Sequence, residues 1–86
     1  LIWKIEWDER TRKELRNLDY QYQKKILSYL KDRVSKNPRN FGKQLSGNKA
    51  GLWRYRIEDF RIVCRIEDKK LVVLVLAVGH RKEIYD

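Results

Sequence analysis

The chain has 86 residues, 42% of them hydrophobic and 12% aromatic, which describes one folded domain with a small core. That size excludes a large enclosed substrate chamber and places function on an open face or in a shallow groove. Lys and Arg number 21 against 12 Asp and Glu, and the net charge of +9 points to a polyanionic partner: nucleic acid, an acidic protein segment or an anionic membrane surface.

One cysteine, Cys64, rules out an intrachain disulfide, and one histidine, His80, argues against a histidine-based zinc site. No metal and no cofactor is expected. Cys64 lies among apolar residues, so the expectation is a small buried thiol in a reducing cytoplasm. No apolar run approaches the ~20 residues of a membrane span, no signal peptide is visible, and no membrane partner is expected.

Residues 2–7, Ile-Trp-Lys-Ile-Glu-Trp, are rich in β-branched and aromatic types and read as a first strand. Asp8 then makes an N-cap with Glu9 in the first turn. Thr11, Leu15 and Leu18 sit three and four apart, which predicts a first helix to about Asn17. Asp19 restarts the pattern. Tyr22, Ile26, Tyr29, Leu30 and Val34 form an amphipathic stripe, predicting a second helix from about Tyr20 to Ser35 that lies antiparallel to the first. The Lys and Arg on the other faces of these helices mostly read as solvated surface.

Asn37-Pro38 stops the helix, and Asn40 to Gly51 reads as a loop with a turn at Ser46-Gly47-Asn48. Lys43 and Lys49 there are solubilising charge or candidate phosphate contacts. From Leu52 onward three strands follow in a meander. In the second strand Trp53, Tyr55 and Ile57 share a face, with Arg54 and Arg56 on the other. In the third, Ile62, Cys64 and Ile66 share a face, with Arg61, Val63 and Arg65 opposite. A two-residue turn at Asp59-Phe60 would place Glu58 across from Arg61 and gather Arg54, Arg56, Arg61 and Arg65 on one face. The fourth strand, Leu71 to Val78, is apolar on both faces and is expected to be central. Part of it must then be covered by the tail or by a partner. The predicted fold is α+β: a small single domain over 1–86, β-α-α-β-β-β, an antiparallel sheet with two helices packed on one face.

Four like charges on one face repel one another, a cost that asks for a reason. Arginine does not serve as a base, but it holds phosphate bidentately and stabilises charge on its oxygens. RNA supplies its own nucleophile, the 2′-hydroxyl. Cutting it by that route needs orientation, neutralisation of the phosphate and two proton transfers. The tail adds His80, Arg81, Lys82 and Tyr85. Tyr85 and His80 are the groups able to exchange a proton, and Tyr85 could instead stack on a base. His80 beside Gly79 at a strand end more simply shapes the turn.

The chain resembles the RelE family of bacterial toxins, in the RelE/ParE superfamily of toxin–antitoxin modules. The resemblance runs along the whole chain through Gln44-Leu45-Ser46-Gly47, Leu52-Trp53-Arg54-Tyr55-Arg56, Phe60-Arg61-Ile62-Val63 and Val78-Gly79-His80-Arg81-Lys82-Glu83-Ile84-Tyr85. It implies an mRNA interferase that enters the ribosomal A site, against 16S ribosomal RNA, and cuts translated mRNA without a metal. It also implies a cognate RelB-like antitoxin as partner. By position it assigns catalysis to Arg54, Arg56, Arg61, Arg81 and Tyr85. Lys43, Lys49, Arg65, His80 and Lys82 remain candidates for RNA binding. The paired strand residues are often lysine in this family. With arginine at both positions here, the base must be sought in the tail, at Tyr85 first. The alternatives are a non-catalytic ParE-like toxin that binds DNA gyrase and a simple basic RNA-binding module.

Overall fold

A computed structural model of the chain describes residues 2–82. The first strand, β1 (Lys4–Trp7), leads into helix α1 (Glu9–Arg16), and helix α2 (Tyr20–Tyr29) follows after a three-residue turn. Asp8 and Asp19 occupy the two N-cap positions, but through their backbone carbonyls: Asp8 accepts from Arg12 N–H at 3.0 Å and Asp19 from Gln23 N–H at 3.1 Å. The helical path continues past Tyr29 as one wide π-turn, Leu30–Val34, closed by the Ser35 N–H on the Leu30 carbonyl at 2.8 Å. The predicted second helix therefore has the expected length but changes hydrogen-bond type. The wider turn keeps Leu30 and Val34 both buried and aims the Ser35 carbonyl at the Trp3 N–H, 2.7 Å away.

Strands β2 (Lys43–Gln44), β3 (Trp53–Ile57), β4 (Phe60–Glu67) and β5 (Val72–His80) complete a five-stranded sheet in the order β1-β5-β4-β3-β2. The fold is α+β with both helices on one face, as predicted, and β5 is central. Two features differ from the sequence reading. The sheet is mixed, because β1 runs parallel to β5 with Lys4 beside Val72. A strand followed at once by helices has no hairpin partner, so it returns to the sheet through a crossover. The connecting loop also contributes the short strand β2, antiparallel to β3.

The core joins Leu15, Ile26, Leu30 and Val34 from the helical side to Tyr55, Ile62, Cys64, Val73 and Val75 from the sheet. Leu76 stands outside the register at a bulge between β4 and β5. The freed Leu76 carbonyl accepts the hydroxyl of buried Thr11 at 2.7 Å, which pins α1 to the central strand. No helix among the described residues is long and apolar enough to cross a membrane.

Candidate functional site

The hairpin between β3 and β4 sets the site. Its loop is Glu58-Asp59, not Asp59-Phe60: Ile57 pairs with Phe60 and Arg56 with Arg61. Phe60 is drawn into the sheet because its ring packs on Tyr22, with centroids 4.8 Å apart. Glu58 takes the left-handed backbone the turn needs, φ 54°, and its carboxylate meets Lys25 of α2 at 2.6 Å. The register moves by two residues, so side-chain parity survives. Trp53, Tyr55, Ile57, Phe60, Ile62 and Cys64 face the helices, while Arg54, Arg56, Arg61 and Arg65 lie on the other side.

Along that side Arg56 stands directly across from Arg61, and Arg54 across from Val63. Arg54 is only 3% exposed. Burial, then Arg61 and Arg56, pull its pKa below the ordinary arginine value. Arg61 is lowered as well, by desolvation first and then by Arg56 and Arg81, with Asp59 opposing. Its Nη1 is buried without a hydrogen-bond partner among the described residues. These mutual effects define a cluster of Arg54, Arg56, Arg61 and Arg81. Its like charges repel one another and favour an anion beside them.

Arg81 reaches the cluster from the end of β5. Its backbone N–H donates to the Asp59 carbonyl at 2.7 Å, and its Nε lies 3.9 Å from Asp59 Oδ1. Glu58 and Asp59 thus tie the turn to α2 on one side and to the tail on the other. Neither tie follows from strand alternation; two acidic residues together in a basic hairpin are the signal for them in the sequence.

The remaining candidates are scattered. Lys43 is exposed and pairs across β2–β3 with Arg54, next to the cluster. Arg65 shares the arginine side but lies farther along β4, opposite Leu74. Lys49 sits in a 3-10 turn, Gly47–Lys49. His80 pairs with Phe60 and turns its ring edge-on to that side chain, centroids 5.9 Å apart, on the helix side of the sheet. Its Nδ1 accepts the Lys82 N–H at 3.2 Å. That placement fits a turn-shaping role and keeps His80 off the arginine side. Lys82 is exposed just beyond β5. Tyr85 lies outside the described residues.

Cys64 is buried, and desolvation raises its pKa, so it is a core thiol. A cleft of about 550 Å³ opens between α2 and the β3–β4 hairpin, and Arg56 is on its wall.

The model for the ParE toxin of type II toxin–antitoxin systems, parDE, matches residues 5–85. Toxin RelG of Mycobacterium tuberculosis is 27% identical over 81 residues, covering 94% of this chain and 93% of that one. Among solved structures, a chain of the toxin–antitoxin complex RelBE2 from Mycobacterium tuberculosis aligns with a TM-score of 0.88 at 25% identity, over 94% of this chain and 93% of that one. The E. coli toxin RelE, as a double arginine-to-alanine variant in the free state, aligns with a TM-score of 0.81 at 26% identity, over 96% and 87% of the two chains.

Proposed function

The chain belongs to the ParE toxin family of type II toxin–antitoxin systems, within the RelE/ParE superfamily, and from that premise we propose that it is a ribosome-dependent mRNA interferase. The observation that carries this reading is the convergence of Arg54, Arg56, Arg61 and Arg81 on one side of the β3–β4 hairpin. A toxin that only docks on a protein has no need to crowd four guanidinium groups whose repulsion costs stability.

In this mechanism Arg56 and Arg61, side by side, hold the non-bridging oxygens of the scissile phosphate. Arg54, largely dehydrated, adds charge that is strengthened by the low local dielectric. The 2′-oxygen attacks phosphorus and its proton passes to a base. The P–O5′ bond breaks, leaving a 2′,3′-cyclic phosphate and a 5′-hydroxyl. No metal and no activated water is required. None of the arginines can serve as the base. Tyr85, four residues beyond Arg81 in sequence, is the residue we assign to that role, which a phenol fills near neutral pH only where cations lower its pKa. Arg81 stabilises the departing 5′-oxygen, which takes a proton from solvent to become the 5′-hydroxyl.

The site works on translated mRNA in the ribosomal A site, in the cytoplasm, and a RelB-like antitoxin silences it. Related toxins occur in such complexes, including the intact E. coli RelBE toxin–antitoxin complex. The description of the matching family as ParE toxin favours one second reading: a non-catalytic toxin that binds DNA gyrase. Primer extension on a translated mRNA after brief expression, beside a gyrase supercoiling assay, separates the two. Discrete mRNA cuts with normal supercoiling are expected. Inhibited gyrase with intact mRNA would overturn the interferase reading.

A further inference from the structure

Resting on the RNA-cutting reading, we infer that the cleft between α2 and the β3–β4 hairpin is a second stretch of the RNA path, seating the phosphates of the single strand next to the scissile one. Four cations line it, Lys24, Lys25, Arg33 and Arg56, against the carboxylates of Asp32 and Glu58. Glu58 is taken up by Lys25 at 2.6 Å. Among the described residues, Lys24, Arg33 and Arg56 pair with no carboxylate. Arg56 links the two places: it stands across from Arg61 in the cluster and also forms part of the cleft wall.

The free cations are presented in a form suited to a backbone of phosphates. The Arg33 guanidinium lies over the rings of Tyr29 and Phe41, 5.4 and 5.9 Å from their centroids. A cation–π contact holds the guanidinium through its charge, and its N–H groups can still donate to a phosphate. Lys24 lies 5.7 Å from the centroid of Tyr20, and Tyr20 is 72% exposed. An exposed ring beside a basic groove is the pairing that single-stranded nucleic acid uses, with bases stacked and phosphates neutralised. A peptide partner would need apolar anchor sites, and among the described residues Ile57 is the only aliphatic one on the cleft wall.

The test is fluorescence anisotropy of labelled, fully 2′-O-methylated RNA, which binds but is not cut. Two lengths are used, about four nucleotides to span the cluster and about ten to enter the cleft, and the salt slope is recorded for each. For the double variant Lys24→Ala with Arg33→Gln, the slope for the longer RNA is expected to fall by about 1.4, from ~0.7 per lost phosphate contact. The shorter RNA should bind as before. Lys24→Ala alone, an exposed substitution, should give about half that change. Arg61→Ala should weaken both lengths. An unchanged slope for the longer RNA, with Arg61→Ala still weakening binding, overturns the cleft and spares the interferase reading. Binding that is indifferent to Arg61→Ala overturns both, and absence of binding by the parent protein overturns the cleft alone. If polyglutamate displaces the longer RNA and itself depends on Lys24 and Arg33, the cleft is a seat for acidic protein and the RNA assignment falls.

Discussion

Gly42 tests how tightly the loop is locked to the arginine strand. Its φ is +66°, and a Cβ placed there would sit 2.2 Å from the Arg54 carbonyl oxygen and 2.8 Å from Tyr55 Cδ1. Gly47 has almost the same backbone, φ +64°, with nothing within 4 Å of a Cβ. Alanine at either position costs about 1–2 kcal/mol for left-handed geometry. At Gly42 the obstacle is strand backbone and cannot rotate aside, so overpacking adds about 1–3 kcal/mol. Gly42→Ala should therefore lose about 1–3 kcal/mol more than Gly47→Ala, and each kcal/mol is worth ~4–8 °C in Tm for a domain of this size. Urea melts of the two variants, compared at equal m, read the difference. Equal losses would show that the Gly42–Arg54 contact does not constrain the fold. Because the displaced atom belongs to Arg54, Gly42→Ala should also cut mRNA less well than Gly47→Ala at a temperature where both are folded.

Tyr55→Phe removes the buried hydroxyl that donates to the Pro38 carbonyl at 2.7 Å, and should cost about 1–2 kcal/mol; an unchanged melting curve would refute that tie. Burial raises the pKa of both Cys64 and Tyr55. Since the unfolded values are lower, ~8.5 and ~10, their contribution is complete below the unfolded pKa of each and is lost as pH rises above it. The urea midpoint should fall between neutral and alkaline pH, more shallowly in Cys64→Ala, and an equal slope in that variant would contradict the assignment. Asp59→Asn keeps the carbonyl that accepts the Arg81 N–H but removes the carboxylate 3.9 Å from Arg81 Nε. That pair is exposed, so stability should stay within about 0.5 kcal/mol, while uncleavable RNA should bind more tightly; weaker binding would mean that Asp59 positions Arg81 more than it competes for it.

The arginine side was legible because strand parity depends on alternation alone. The turn lies one residue earlier at each end than alternation suggests, which exchanges Glu58 and Phe60 between strand and turn and moves the register by two, so the four arginines keep their predicted face. The stripe of Ile26, Leu30 and Val34 likewise gave the buried edge of α2, although the π-turn could not be seen in a pattern that fits either helix type. Partners remote in sequence were not legible. The parallel neighbour of β1 is set by a crossover, and the buried hydroxyl of Thr11 meets a carbonyl that only the bulge at Leu76 exposes. Nor did alternation show that Arg54 would be buried. The cleft beside Arg56 needs two elements packed together, and no linear pattern encodes its width. The direction of His80 follows from its pairing with Phe60, which depended on where the turn fell.

We propose that the cluster of Arg54, Arg56, Arg61 and Arg81 cuts translated mRNA through the 2′-hydroxyl. The most direct test is the chemistry of the cut ends in a purified translation system, with parent protein, Arg61→Ala and Arg81→Ala side by side. Cuts within translated codons that survive EDTA and carry a 2′,3′-cyclic phosphate facing a 5′-hydroxyl are expected, with both variants strongly impaired. Cuts bearing a 5′-phosphate, or cutting at the parent rate by both variants, would contradict 2′-hydroxyl chemistry at this cluster.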